Sequence, residues 1–419
     1  MSAPHALKGF MICRASFRSS AAALLLVATL GLPQARRARA AADPQPPSAV
    51  DNPLTYDARA LAMGGAGTAL GANGALALHN PALIEQVGQR SVTATFTPYF
   101  LRLGAPFRLA NGQRLQAQSG LLFGPFSQLG MTIRLTNRVS IGMLGFVTAA
   151  AGGSFAKVPL NSLSTEVPPA IIGDAQVGQV AGELLVPIAV AVVPWLKLGG
   201  AYRITHAWQL ANLKSLSGAA ISDASLHGTS FTGWAAGALA HIGSTLRLGL
   251  SYRSAVGMDM SGGVTTHGTV TQTRGRTIPK GFTVPHRFKL GAAWRPPVAR
   301  PLMLVAEARL WLHHLANSRE RLTAGGALGA EYTLRHHISA RAGYSISMQP
   351  TTDRNARPFA VPPGLGHGIT LGAGISWSDW QFDGAVGYVI SGKTVQNLPS
   401  AGSYLAQGAM ASLSATYAM

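Results

Sequence analysis

The sequence predicts an all-β fold, a transmembrane antiparallel β-barrel of about 14 strands. Three observations carry that expectation. Charged residues make up only 12% of the 419-residue chain and hydrophobic ones 47%, roughly half the charge of an ordinary soluble domain. Segment after segment alternates apolar and polar residues with a period of two, as strands do. The longest apolar stretch beyond residue 40, Leu184–Leu196, contains Pro187 and Pro194 and falls short of the ~20 residues of a spanning helix. So much apolar residue excludes disorder, and the single Cys excludes a disulfide framework.

The elements follow in chain order. Residues 1–40 have the layout of a secretory signal peptide: basic Lys8, Arg14 and Arg18, an apolar run Ala21–Leu32, and small residues at Ala38-Arg39-Ala40, with cleavage after Ala40 or Ala42. Its removal takes away Lys8, Arg14, Arg18, Arg36, Arg37, Arg39 and no acid, lowering the formal charge from +19 to +13. Cys13 leaves too, and a mature chain without thiols suits an oxidising compartment. The leader and the absence of Lys/Arg runs argue against nucleic acid as a partner.

Residues 41–90 are rich in small residues and lack the alternation, so by pattern alone they form either a disordered leader or an N-terminal plug inside the lumen. Residues 91–419 show it throughout. In Ile338–Met348, for example, Ile338, Ala340, Ala342, Tyr344, Ile346 and Met348 share one face, and Ser339, Arg341, Gly343, Ser345 and Ser347 share the other. Tight-turn signals stand at Thr136-Asn137, Pro194-Trp195, Gly243-Ser244, Pro296–Pro301, Arg335-His336 and Ser378-Asp379. With a first strand at Ser91–Leu103 and a last at Tyr404–Met419, six turns give 14 strands. Seven longer loops are expected near 104–116, 150–180, 210–227, 263–282, 315–323, 349–366 and 395–403. An even strand number leaves both ends on one side, and closure satisfies every backbone group in lipid.

Strand phase puts Arg134, Lys197, Arg203, Arg247, Arg253, Arg287, Lys289, Arg309 and Arg341 on the polar face, with Glu307 and Asp383 among its fewer acids. Trp195, Trp208, Trp294, Trp377 and Trp380 lie at or near strand ends, as an interfacial girdle requires.

The run Arg59-Ala60…Gly64-Gly65-Ala66, followed by Asn80-Pro81-Ala82-Leu83-Ile84 just before the first strand, resembles the hatch of the FadL family of outer-membrane long-chain fatty acid and hydrocarbon transporters. Arg341-Ala342-Gly343-Tyr344, Pro350, Pro362 and Gly372-Ala373-Gly374 are similar to that family's late strand, loop and strand. The chain departs from the family at Gly71-Ala72-Asn73-Gly74, where hatch acids are usual, and at its end, Tyr417-Ala418-Met419, where Phe is usual.

The resemblance implies a passive outer-membrane transporter in a Gram-negative bacterium that takes hydrophobic molecules, long-chain fatty acids first and aromatic hydrocarbons or alkanes as the alternative. It implies no enzyme activity, no cofactor and no metal. Partners would be outer-membrane lipid, lipopolysaccharide and the barrel assembly machinery. Arg59, Gly64, Gly65, Asn80, Pro81 and Ala82 would form the hatch motif. A fatty acid would need a cation for its carboxylate, supplied by Arg203, Arg309 or Arg341. Leu160, Ile171, Ile172, Leu213 and Leu216 would form apolar capture loops. An alternative of another class is a structural or secretion-accessory barrel.

Two other signals lead elsewhere. Gly387–Thr394 fits the string of a phosphate-binding loop, but Gly387 lies inside an alternating segment, whereas that loop needs a strand ending before the first Gly. His313-His314 and His336-His337 are adjacent pairs, whose side chains point to opposite faces of a strand and make no chelate.

Overall fold

The computed structural model describes residues 57–71, 74–86, 88–109, 111–160, 171–267, 271–335, 337–396 and 401–419. The signal peptide and the first part of the expected hatch segment lie outside these residues.

Fourteen antiparallel staves form one closed sheet in sequence order. They are β1 (Arg90–Arg108), β2 (Arg114–Gln118 and Leu122–Thr136), β3 (Val139–Pro159), β4 (Ile172–Val193), β5 (Leu196–Ser215) and β6 (Ala220–Ile242). Next come β7 (Leu246–Arg253 and Val256–Thr266), β8 (Gln272–Val284 and Arg287–Trp294), β9 (Leu302–Trp311) and β10 (Thr323–Arg335). The last are β11 (Ile338–Met348), β12 (Leu365–Trp377), β13 (Trp380–Val395) and β14 (Gly402–Ala418). The barrel closes where β1 pairs with β14, from Ser91 against Ala418 to Gly104 against Leu405. All six expected tight turns join consecutive staves at one end of the barrel, where Arg90 and Met419 also meet by mutual backbone hydrogen bonds.

The alternating sequence produces two differently solvated faces. On β11 Ile338, Tyr344, Ile346 and Met348 point outward and are exposed, while Arg341 and Ser345 are buried inside. Trp195, Trp294, Trp377 and Trp380 are exposed at the short-turn end, and Trp208 is exposed higher on the wall.

The wall is uneven in height. Staves β3 to β6 have 21, 22, 20 and 23 residues, whereas β9 to β12 have 10, 13, 11 and 13. At about 3.3 Å per residue, the first group runs roughly 70 Å along the strand and the second roughly 35–45 Å. The long loops expected at 150–180 and 210–227 are therefore mostly strand. β3 and β4 take up much of the first range, and β5 and β6 leave only 216–219 of the second. Small Ala and Gly residues at 149–153 and 173–182 hide the alternation there. The three-residue spacing of Leu210, Leu213 and Leu216 is not helical: Leu210 points outward, Leu213 inward, and Leu216 sits in the turn.

Two neighbouring staves bend. β7 breaks at Ser254-Ala255. β8 breaks at Pro285-His286 and shifts register between Ile278 and Phe282, where Lys280 has φ 49°. The bend turns Val256, Met258, Met260, Phe282 and Val284 into the lumen, where they pack with Ala181, Ala207, Ala211 and Leu226 of β4 to β6. The long-loop half of the lumen is filled on this side and open on the other.

Candidate functional site

The lumen has two levels, and the lower is a plug whose described residues are 57–71 and 74–86. Helix α1 (Ala58–Ala62) begins at Asp57, whose carboxylate accepts from Ala60 N at 2.9 Å. Two 3-10 turns follow, Gly74–Leu78 and Pro81–Gln86. Plug residues share apolar clusters with the wall: Met63, Leu70 and Leu83 with Met303 and Val305, and Leu78 and Ile84 with Leu144 and Leu185.

The Asn-Pro-Ala motif has a mechanical explanation. Asn80 Nδ2 donates to Thr68 O at 3.0 Å and to Ala238 O of β6 at 2.9 Å, and its Oδ1 accepts from Ala82 N at 3.0 Å. One side chain thus ties two turns of the plug together and fastens both to the wall. Pro81 opens the 3-10 turn, a position that lacks a use for the N–H. The wall meets the plug with glycine. A Cβ at Gly237 would lie 1.9 Å from Asn80 Oδ1, and one at Gly199 would lie 2.4 Å from Ala82 N. On β11, a Cβ at Gly343 would lie 2.1 Å from Gly64 N, and Gly64 itself has φ +71°. These inward glycines are functional seats that sequence reasoning passed over. Their signal was the run of Gly at inward phase on neighbouring strands.

Charges lock the plug in place. Arg59 makes a bidentate pair with Glu331 of β10 at 2.8 and 2.9 Å and donates to Gly71 O at 2.9 Å. Glu307 of β9 accepts from Gly67 N at 2.9 Å, from Thr68 N at 2.8 Å and from Arg309 at 2.7 Å, with Lys289 at 3.5 Å. Lys197 pairs with Glu85. Arg309 Nη2 donates to Gly64 O at 3.3 Å. Within the plug, burial pushes the Asp57 carboxyl up to about 6, with Asp383 adding to the effect. Burial, then nearby Lys289, holds the His79 imidazole well below its ordinary range and so neutral.

The three arginines expected to contact a carboxylate are thus engaged with acids of the wall. Arg203 binds Glu183 at 3.0 and 2.8 Å and donates to Ser254 O at 2.8 Å, and Arg253 reaches the same glutamate. Arg341 bridges Glu331 at 2.7 Å and Asp383 at 2.6 Å. Buried cations need such partners, because an isolated charge in a low-dielectric interior is very costly. Of the three, the structure brings only Arg309 to the cavity described next.

The upper level is a cavity of about 240 Å³ between the plug and the long loops. Its apolar lining includes Tyr99, Leu103 and Phe126 of β1 and β2, Trp311 of β9, and Phe359, Val361 and Pro362 of the loop after β11. Arg309, His313, Gln179 and Gln349 are among its polar members. Phe359 has φ +65°, a region that a bulky residue adopts only when its surroundings hold it there. Its ring stands edge-on to Phe155 at 4.9 Å and to Phe107 at 6.3 Å. The apolar residues assigned to capture loops divide. Leu160 and Leu213 are fully buried in the cluster beside this aromatic trio, and Ile171 packs against it. Ile172 and Leu216 are exposed. Phe126, Trp311 and Phe359 were not singled out from sequence, although Trp311 and Phe126 sit at inward phase.

A 14-stranded barrel plugged by its own N-terminal segment, with an apolar chamber above the plug, defines the class. No family model and no curated protein sequence matches the chain. Among solved structures, the chain is similar to a Pseudomonas aeruginosa FadL homologue, with a TM-score of 0.66 at 15% identity, covering 89% of this chain and 99% of that one. It is similar to the Ralstonia pickettii toluene transporter TbuX, with a TM-score of 0.64 at 16% identity over 87% and 98%. It is also similar to the Pseudomonas putida toluene transporter TodX, at 0.60 and 15% over 88% and 98%. The fold is therefore FadL-like.

Proposed function

We propose that this chain is a passive outer-membrane channel for hydrophobic molecules in a Gram-negative bacterium, exported by its leader and inserted by the barrel assembly machinery. The short-turn end, with the start of β1 and the end of β14, faces the periplasm. The apolar chamber above the plug is the observation that carries this reading. Ligand settles among Phe126, Trp311 and Phe359, and moves on when the plug around Asn80-Pro81-Ala82 shifts. Arg59, Gly64 and Gly65 belong to the same moving part.

Uncharged ligands such as monoaromatic hydrocarbons fit this lumen better than fatty acids, because Arg203, Arg309 and Arg341 already serve wall carboxylates. The toluene transporters among the structures that share the fold support the same choice. A long-chain fatty acid is the second reading, favoured by one observation: the Arg309 guanidinium lines the chamber.

Uptake of labelled toluene and labelled oleate, compared in cells with and without the gene, tests both. Loss of toluene uptake is expected on deletion, and unchanged uptake of both compounds would sink the proposal. The variant Arg309→Gln, which leaves Glu307 with Lys289 and the plug amides, separates the ligands. Selective loss of oleate uptake would restore the fatty acid reading.

A further inference from the structure

The chamber above the plug has two unlike sides. Leu101, Leu103 and Phe126 of β1 and β2, with Phe359 of the loop after β11, form an apolar side. The side built by β9 to β13 carries Trp311, Thr323, Ser345, Ser347 and Ser391, all at inward phase and all uncharged. Arg309 also lines the chamber, but its guanidinium donates to Glu307 and to Gly64 O.

Register lines these polar groups up. Trp311 of β9 pairs with Thr323 of β10. Gly366 of β12 pairs with Ser347 of β11 on one side and with Ser391 of β13 on the other. This glycine makes a notch in the wall. A Cβ there would collide with the Gln349 amide, and it would lie 3.2 Å from Ser347 Oγ and 3.6 Å from Ser391 Cβ. Gln349 Nε2 lies over the notch and donates to Ser347 Oγ at 3.4 Å. A neutral arc of hydroxyls, one amide and one indole N–H thus spans five neighbouring staves.

Two members of the arc lack what burial demands. Trp311 and Ser391 are each more than nine-tenths buried, yet Trp311 Nε1 and Ser391 Oγ have no hydrogen-bond partner among the described residues. Buried polar groups are nearly always paired, and an unpaired one is costly. A hydrocarbon against this wall leaves both unpaired. An uncharged ligand oxygen accepts from the indole N–H, and from the serine hydroxyl as well. Both atoms are covered by neighbouring side chains, so the ligand reaches them as those side chains give way. For Ser391 a single change of χ1 rotamer turns the hydroxyl.

We propose that the β9–β13 side of the chamber selects uncharged ring compounds that carry an oxygen, such as phenols and aromatic alcohols or ketones, over hydrocarbons of the same size and over carboxylates. The ring packs on Phe126 and Phe359 while the oxygen meets Trp311 and Ser391. A few placed polar groups in an apolar pocket orient a ligand in this way, and a site built to pair with a ligand group discriminates against the analogue that lacks it. A carboxylate would meet hydroxyls, amides and an arginine already bound to Glu307. This choice of ligand rests on the channel reading above.

Calorimetry of the full mature chain in detergent tests it with toluene, p-cresol and p-toluate. The three share a methylbenzene frame and differ at the para position, which carries hydrogen, a neutral hydroxyl or a charged carboxylate. p-Cresol should bind roughly three- to tenfold more tightly than toluene, the gain of one or two net hydrogen bonds, and more tightly than p-toluate. Trp311→Phe keeps a ring and loses the N–H, and Ser391→Ala loses the hydroxyl. Each should lower the ratio of p-cresol to toluene affinity by about threefold, whereas Ser391→Thr should keep the wild-type ratio. Phe126→Leu should weaken both compounds and leave their ratio near that of the wild type. Heat-modifiable migration on gels reports that each barrel is closed. Toluene binding as tightly as p-cresol, p-toluate binding most tightly, or a wild-type ratio in both Trp311→Phe and Ser391→Ala would each overturn the proposal and leave the channel reading standing. Binding of none of the three compounds would overturn both.

Discussion

The two levels of the lumen are built from the same fourteen staves and solve opposite problems. The lower level is crowded and charged. The upper level is apolar and hollow. In the lower level three acids serve more than one donor: Glu183 holds Arg203 and Arg253, Glu307 holds Arg309 and two plug amides, and Glu331 holds Arg59 and Arg341. These shared carboxylates form an ion-pair layer that grips the plug. In the upper level the inward positions carry Leu103, Phe126 and Trp311, and no comparable layer of ion pairs lines the cavity among the described residues. The difference teaches where polarity serves as a fastener and where its scarcity leaves a path.

The strongest way to break this contrast is to remove one fastener. Glu307→Gln keeps the shape but leaves Lys289 and Arg309 as buried cations without their carboxylate. Stripping one member from a buried pair costs about 3–5 kcal/mol, enough to unseat Gly67 and Thr68 and their part of the plug. Single-channel recordings in planar bilayers should show larger and more frequent openings, and protease should cut within 57–86 of the folded barrel. Wild-type conductance and protection would mean that the plug is held by packing alone, and the contrast between the levels would lose its cause.

A gentler test uses pH. The Asp57 carboxyl, ordinarily near 3.8, is pushed up to about 6 by burial. Its proton is held more tightly in the seated plug than in a released one. Anchoring is therefore strongest below about pH 4, weakens as pH rises from about 4 to about 6, and is level above that. The full change is of order 3 kcal/mol. Asp57→Asn should remove this dependence while keeping the start of α1, because Asn caps as well as Asp. Protease protection of the plug, followed from pH 4 to 7, distinguishes the two proteins. Identical profiles would show that Asp57 does not report on seating.

Much of this arrangement was legible in the sequence. The strand number, the six short turns and the inward phase of the basic residues follow from a period of two and from turn chemistry, and the plug motif follows from the resemblance to the FadL family. What was not legible depends on contacts between distant strands. That Arg203 meets Glu183, 20 positions away, and Arg59 meets Glu331, 272 positions away, is fixed by barrel closure and register. The height of β3 to β6 was hidden because Ala and Gly at 149–153 and 173–182 erase the apolar–polar contrast. The chamber was hidden for another reason. Phe359 belongs to no periodic segment, and only the fold brings it against Phe107 and Phe155.

Phe359 also supplies the smallest and most local test of the contrast. Its ring makes edge contacts with two other phenyl rings and lines the chamber, but it touches none of the ion pairs below. Replacement by Gly removes the ring and at the same time suits the backbone angle of +65°, so the loop conformation can persist while the aromatic contacts are lost. Such contacts are worth about 0.5–1.5 kcal/mol each beyond their buried area. Affinity for toluene, measured by tryptophan quenching or calorimetry, should fall by several-fold to roughly tenfold. Protease protection of residues 57–86 should not change, because the plug is fastened a level below. If Phe359→Gly loosened the plug as Glu307→Gln does, the two levels would be one mechanical unit. If it left affinity untouched, ligand would have to bind away from the aromatic wall of the chamber.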